Sequence, residues 1–180
     1  MKIRDLNNEI HSWKLNGYVV AANEMRPRSK LHLAARELLI ELFPTVQVLE
    51  EVLVPLTRHE KGYFDFYINT LKLVVEVHGQ QHYKFNSLFH TSAQDFANQR
   101  KKDRRKKEWG EYNNITYIEL PYNEDKEQWK LRIQRRNDYI RSTRYLMSMS
   151  LILALARIRE IFMISPSSSI WACQGNKWKS

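Results

Sequence analysis

Two carboxylates interrupt an otherwise apolar stretch in the first half of the chain, and their types and spacing suit chemistry. Asp65 stands among aromatic and β-branched residues, and Glu76 stands near the end of a Leu/Val run. A carboxylate in an apolar strand is costly unless another group pairs with it or coordinates it. Because two such acids on neighbouring strands repel each other, a divalent cation bound between them is the favoured interpretation.

The elements that must position these acids are predicted to be two strands joined by a tight turn. Aromatic and β-branched residues predict the first strand, Leu and Val predict the second, and Asn69-Thr70 forms the turn between them. Further strands are predicted before and after this pair. The predicted strands cover residues 47–54, 63–68, 71–77 and 115–120.

Helical patterns surround these strands. Ser29 is a predicted N-cap, and an apolar stripe follows it until Pro44. A second helix is predicted over 92–109, with Gly110 at its end. Near the start of the chain, the spacing of Ile3, Leu6, Ile10 and Trp13, with Gly17 after them, suits a helix, and Tyr18-Val-Val-Ala suits a short strand. A further helix is predicted from 124 to 162, before a break at 165–169. The order of elements predicts an α/β or α+β fold in which a helical crossover returns a strand beside the central pair.

Composition and charge narrow the class of protein. The 180 residues suit one domain with an appendage, which we divide into segments 1–25, 26–123 and 124–180. The net charge of +9 favours a polyanionic partner, most simply nucleic acid, over an anionic membrane surface. The single cysteine, Cys173, excludes an intrachain disulfide, and no secretory signal or membrane span is evident, so we expect a cytoplasmic protein.

A cluster of charge lies in the predicted second helix, where seven basic residues surround one acid, Asp103. Like charges this dense destabilise a helix unless an anion neutralises them, so a phosphate backbone beside the helix is one interpretation and a solvated face is the other. Asp103 could either pair with its lysine neighbours or act at the site. The basic residues are Arg100, Lys101, Lys102, Arg104, Arg105, Lys106 and Lys107.

The arrangement resembles the PD-(D/E)xK nuclease superfamily, and more narrowly its branch related to very-short-patch repair endonucleases, which includes phage and mobile-element homing endonucleases. The residues that carry the resemblance are Asp65 in Phe64-Asp-Phe-Tyr, the frame Glu76-Val-His-Gly-Gln-Gln-His82, the run Lys102-Asp-Arg-Arg-Lys-Lys107 and the strand Ile115-Thr-Tyr-Ile-Glu-Leu-Pro121. The resemblance covers about residues 29–123. It implies a restriction-endonuclease-like core, with a central mixed sheet flanked by helices and a C-terminal helical extension.

The same resemblance implies a Mg²⁺-dependent DNA endonuclease of nicking or homing type, for which Mn²⁺ can substitute. Asp65, Glu76 and the carbonyl of Val77 would hold the ion, and His82 would meet a phosphate or relay a proton. Double-stranded DNA is the implied substrate, with a homodimer if both strands are cut. The remaining candidates are Glu37 from the first helix and, as accessory residues, Gln81 and Asp103.

One position departs from the family pattern. His78 stands where most of the superfamily has Lys and where the very-short-patch branch commonly has Asp. His78 could accept the proton of the attacking water or ligate the metal, and Lys102 or Lys106 could supply the missing positive charge. The spacing of His78 and His82 would suit zinc on a helix, but a strand and Gly79 disfavour that geometry. Two other functions stay open: a nucleic-acid-binding protein that does not cleave, and a nuclease for RNA or branched DNA.

Overall fold

A five-stranded mixed sheet forms the centre of the protein. The computed structural model describes residues 1–20 and 27–163. In chain order the elements are β1 (Lys2–Arg4), β2 (Ile10–Ser12), β3 (Tyr18–Val19), α1 (Lys30–Leu42), β4 (Leu49–Pro55), β5 (Lys61–Ile68), β6 (Leu73–His78), a 3-10 turn (Gln80–His82), α2 (Ala93–Tyr112), β7 (Thr116–Pro121) and α3 (Lys126–Met163). This mixture of elements confirms the predicted α+β class.

The strands of the central sheet follow the order β3-β4-β5-β6-β7, and β1 and β2 pair separately as a hairpin. Neighbours in the central sheet are antiparallel except for β6 and β7, which are parallel. A parallel pair cannot be joined by a tight turn, so α2 forms the crossover between them. The predicted return of a strand beside the central pair is therefore confirmed.

The two faces of the sheet are covered by different elements. One face packs against α1 and the start of α3, through residues such as Leu38, Trp129 and Val75. The other packs against the β1–β2 hairpin and α2, through Trp13 and Trp109 among others. Since successive residues of a strand point to opposite faces, the residue after Val75, Glu76, points toward the face that α2 covers.

The first unit of the chain, residues 1–137, is compact by its internal contacts, and the remainder of α3 belongs to a second unit. The predicted helix over 124–162 corresponds to α3. The predicted break at 165–169 lies outside the described residues. Within the described residues, no helix has the length and apolar character needed to cross a membrane.

The predicted N-terminal helix is wrong, because turn chemistry overrides the helical spacing there. The carboxylate of Asp5 accepts hydrogen bonds from the backbone N–H groups of Asn7 and Glu9, which closes the hairpin between β1 and β2. Gly17 ends no helix. It lies where the chain runs against β4, and a Cβ there would come within 2.6 Å of Val52 Cγ2.

The ends of the two core helices follow their capping residues. Ser29 accepts a hydrogen bond from the backbone N–H of His32, so the predicted N-cap of α1 is confirmed. The prediction that Gly110 ends α2 is wrong, because the helix continues to Tyr112 and Asn113 caps it. Gly110 is buried inside the helix, with the carbonyl of Ile115 3.5 Å from where its Cβ would be.

Candidate active site

Asp65 lies where strand pairing in the sheet is interrupted. The pairing of β5 with β6 runs from Ile68 and Leu73 to Phe66 and Val75 and stops before Asp65. There the carboxylate Oδ2 of Asp65 accepts a hydrogen bond of 2.8 Å from the backbone N–H of Val77. The side chain of Asp65 thus replaces a backbone partner, and both strands part at the point where the two acids lie.

The strand on the other side of β5 is also irregular at this level. Glu51 of β4 falls opposite Asp65 in the register and has a φ of 52°. A left-handed φ is uncommon for a residue other than glycine, and such strain gathers at functional sites. Both residues line one cavity of about 590 Å³. The interruption therefore extends across three strands.

Glu76 is buried and pairs with a lysine from α2. Only 2% of Glu76 is exposed. Lys106 Nζ donates to Glu76 Oε2 over 2.5 Å and to the carbonyl of Tyr63 over 3.2 Å. Lys106 lies 30 residues after Glu76 in the chain, so this contact joins α2 to β6 over a long sequence separation.

The surroundings of Glu76 shift its pKa in opposing directions. Burial raises the pKa of Glu76 to about 8, Lys106 opposes this rise, and the negative charge of Asp65 adds to it. Burial alone would lower the pKa of Lys106, but the charge of Glu76 raises it. The second oxygen of Glu76, Oε1, is buried and has no hydrogen-bond partner among the described residues. The pair therefore holds a cation beside a carboxyl group that titrates near neutrality.

Two imidazoles and a carboxylate lie next to this pair. His82 Nδ1 and Asp103 Oδ2 are 2.8 Å apart, and the ring of His82 stacks on that of His78 with centroids 4.4 Å apart. Burial opposes the ionisation of Asp103, but the hydrogen bond and charge of His82 lower its pKa. Burial, and then the charge of His82, lowers the pKa of His78 to about 4, so His78 is neutral at pH 7.

The basic run of α2 is divided by the structure into residues with different surroundings. Arg100, Arg104 and Lys107 share one face of the helix, together with Asp103, and line a cavity of about 210 Å³ with His78 and His82. The other positions differ from these. Arg105 pairs with Glu60 over 2.8 Å, Lys106 reaches Glu76, and Lys101 and Lys102 are exposed.

Two of the predicted residues take other positions. Glu37 is exposed on α1, which covers one face of the sheet, whereas Glu76 points toward the other face. The structure therefore does not bring Glu37 to Asp65 and Glu76. Gln81 lies in the 3-10 turn, with its amide against Gly79. Gly79 has a φ of −69°, which is open to any residue, but a Cβ there would collide with Gln81 Oε1 and would displace that amide.

Two residues of β7 were missed by the sequence reasoning. Glu119 pairs in register with Glu76 and has Oε2 3.8 Å from His78 Nδ1. Tyr117 lies two residues earlier, and its buried hydroxyl has no hydrogen-bond partner within the described parts of the chain. Burial, followed by the charges of Glu76 and Asp103, raises the pKa of Tyr117. The sequence signal that could have found them is the predicted parallel pairing of β6 with β7, because aligning these two strands places Glu119 beside Glu76 and Tyr117 two residues earlier.

Comparison with known proteins gives no assigned relative. No family model matches the chain, and no solved structure matches it. The chain is 43% identical over 72 residues to uncharacterized protein 307L of Invertebrate iridescent virus 6, a match over 38% of this chain and 36% of that protein. It is 38% identical over 58 residues to uncharacterized protein 033L of Invertebrate iridescent virus 3, over 32% of this chain and 30% of that protein. The chain thus spans about a third of the length of these curated relatives.

Proposed function

We propose that this protein is a Mg²⁺-dependent endonuclease that hydrolyses phosphodiester bonds in DNA. The observation that carries the proposal is the convergence of Asp65, buried Glu76 and Lys106 where β5 and β6 part. Two acids and a lysine are the residue types of the PD-(D/E)xK pattern, although that pattern has its lysine on the strand. The lysine comes from α2, and the strand position it leaves is occupied by His78.

The donor set at this position fits a hard divalent cation. Asp65 and Glu76 offer carboxylate oxygens, and Val77, which follows Glu76 on β6 and whose N–H bonds Asp65, offers a backbone carbonyl. Mg²⁺ takes oxygen ligands, and the buried Oε1 of Glu76 has no hydrogen-bond partner in the described part of the chain. A bound Mg²⁺ would act as a Lewis acid on the phosphate and would lower the pKa of a bound water.

The residues around the acids have separate roles in this proposal. Lys106 stabilises the charge that develops on the phosphate, since it is a cation in a buried site where electrostatic interactions are strong. His82 is the general base, and the hydrogen bond to Asp103 orients its ring. Neutral His78 supports the ring of His82 by stacking on it.

DNA would be bound by one face of α2. Arg100, Arg104 and Lys107 fall within eight residues, a rise of about 10 Å along a helix, and so can contact more than one phosphate of a strand. The net charge of +9 favours the same partner. Arg105 and Lys106 are engaged with acids of the protein and contribute less to binding DNA.

Cleavage of supercoiled plasmid DNA tests the proposal. The wild-type protein is expected to nick or linearise the plasmid with Mg²⁺ and to stop when EDTA is added. Glu76→Ala is expected to lose cleavage at least a hundredfold while it still binds DNA. Glu37→Ala is the matched control, because it removes an exposed glutamate outside the cluster and should leave the rate within twofold of wild type.

A second candidate function is a nucleic-acid-binding protein that does not cleave. The observation that favours it is the closed ion pair between Lys106 and Glu76, in which the lysine already satisfies one carboxylate oxygen. If wild type and Glu76→Ala bind DNA equally and neither cuts linear, branched or RNA substrates, the binding function replaces the nuclease. Cleavage of RNA or branched DNA alone would keep the chemistry and change the substrate.

A further inference from the structure

A second group of possible metal ligands lies beside the paired acids and differs from them in chemistry. His78, His82 and Asp103 each offer one ligand atom, and these three atoms lie within 4.8 Å of one another. The side chains come from three elements: the end of β6, the 3-10 turn and the middle of α2. The ligand atoms of a tetrahedral zinc ion lie about 3.4 Å from one another. Movements of about 1 Å by these side chains would therefore allow the three ligand atoms to bind a single ion.

The nitrogen of His78 is the observation that points to a ligand. His78 is buried, with 4% of the residue exposed, and its Nε2 has no hydrogen-bond partner within the described residues. Its other nitrogen, Nδ1, is 3.8 Å from Glu119 Oε2. A buried polar atom without a partner costs free energy, and a bound ion that used its lone pair would remove that cost.

The hydrogen bond between His82 and Asp103 suits metal binding in either of two ways. With the proton on Nδ1 and donated to Asp103, Nε2 of His82 carries a free lone pair, and Asp103 is the carboxylate that orients a metal-binding histidine. When the proton leaves, Asp103 can itself bind the ion. Glu119, which lines the same cavity, provides a further carboxylate.

The donor types select the metal. Asp65 and Glu76 offer oxygen alone, which suits Mg²⁺, whereas two imidazoles with a carboxylate suit Zn²⁺ and its neighbours among the transition metals. Zn²⁺ and similar transition metals should therefore prefer the group of His78, His82 and Asp103 to the pair of Asp65 and Glu76. The cluster of Asp5, Glu9 and His11 offers a single nitrogen, and Asp5 is already satisfied by the turn it closes.

We propose that His78, His82 and Asp103 form a transition-metal site that takes Zn²⁺, separate from the oxygen-donor site of Asp65 and Glu76. Binding of Zn²⁺ here does not depend on nuclease activity. A consequence for activity does rest on the proposed function: a zinc ion on His82 takes the lone pair that the general base needs, so Zn²⁺ at this site inhibits cleavage.

Titration calorimetry with Zn²⁺, in buffer without Mg²⁺ or DNA, tests the site. All variants carry Cys173→Ser, because a thiol also binds zinc. One ion per chain is expected, and His78→Ala and Asp103→Asn should each weaken the affinity at least tenfold. His11→Ala is the matched control, since it removes the imidazole of the other acid cluster and should leave the affinity unchanged.

Two outcomes would overturn the proposal: no saturable binding of Zn²⁺, or binding that His78→Ala leaves unchanged. A second measurement needs no substitution at the site and so avoids a variant that fails to fold. In a spectrum of histidine ring protons, Zn²⁺ should shift the signals of two of the six imidazoles, and assignment to any pair other than His78 and His82 contradicts the site. If the wild-type protein cleaves DNA but does not bind Zn²⁺, the zinc proposal fails and the nuclease proposal stands. If it binds Zn²⁺ at this site but does not cleave, the nuclease proposal fails and the zinc site stands.

Discussion

Replacing Glu76 with glutamine should make the protein more stable at neutral and alkaline pH. In the folded protein the carboxyl group of Glu76 has its pKa raised from 4.5 to about 8, chiefly by burial. Between these two values the unfolded chain has lost the proton and the folded chain retains it. Stability must therefore fall as the pH rises through this window, because the folded state binds more protons than the unfolded state.

The size of the effect follows from the same shift. A rise from 4.5 to about 8, at about 1.4 kcal/mol for each pH unit, gives a ceiling of about 5 kcal/mol for the cost at pH 8. Glutamine keeps the shape and a hydrogen-bond acceptor for Lys106 but cannot ionise. It also leaves the buried Lys106 without its counter-ion, which offsets part of the gain. We expect Glu76→Gln to raise the free energy of unfolding by roughly 1–3 kcal/mol at pH 8 and by little at pH 5.

Urea denaturation at pH 5, 6, 7 and 8, in buffer with EDTA, measures the difference. The gap between Glu76→Gln and wild type should widen steadily with pH. Glu119→Gln is the control, since Glu119 is paired in register with Glu76 but is more than a third exposed on its side chain. A constant gap across the four pH values, or a variant that is less stable at pH 8, would show that burial does not dominate the ionisation of Glu76.

Other changes probe the same structure. Lys106→Met removes the cation that opposes the rise in the pKa of Glu76, so keeping Glu76 buried becomes more costly at high pH; it should destabilise the protein by about 3 kcal/mol at pH 9 and by much less at pH 5, as measured by urea denaturation. Tyr117→Phe removes a buried hydroxyl without a partner among the described residues, so the unfolding midpoint should stay unchanged or rise, and a loss above about 1 kcal/mol would reveal a hidden partner. Ser29→Ala should cost about 1 kcal/mol through loss of the cap of α1, with Thr at the same position restoring most of it.

The strands of the core follow closely from their local patterns. Aromatic and β-branched residues predicted β5, and a Leu/Val run predicted β6, because buried strands have few other compositions. The predicted two-residue turn at Asn69-Thr70 is wrong: the turn covers residues 69–72 and β6 begins at Leu73, because Lys72 adopts a left-handed φ of 49°. Ser29 and Pro44 bounded α1 for a similar reason, since a helix N-cap and a proline act through local backbone chemistry. The pattern of two acids followed by a basic helix also indicated which strands and which helix would meet.

The identity of the lysine at the site was beyond local pattern. Seven basic residues occupy eight positions of α2, and the packing of this helix against the sheet, which no local pattern gives, brings Lys106 to Glu76 and leaves Lys102 exposed. Sequence reasoning could name both as candidates and could not choose. The family resemblance suggested Glu37 as a site residue. Glu37 lies on α1, which covers the opposite face of the sheet, and a one-dimensional pattern does not tell which face a helix covers.

The parallel pairing of β6 with β7 also bears on the order in which the protein folds. Glu76 and Lys106 are 30 residues apart in the chain, and His82 and Asp103 are 21 apart, so neither contact forms within a single hairpin or helix. Both require closure of the loop that contains α2, and the entropy of that closure is lost before any contact compensates for it. A chain that has formed only the antiparallel strands β4, β5 and β6 thus has its acids in place without their cations. The assembled cluster is a property of the completed fold, and partly folded chains emerging during synthesis lack it.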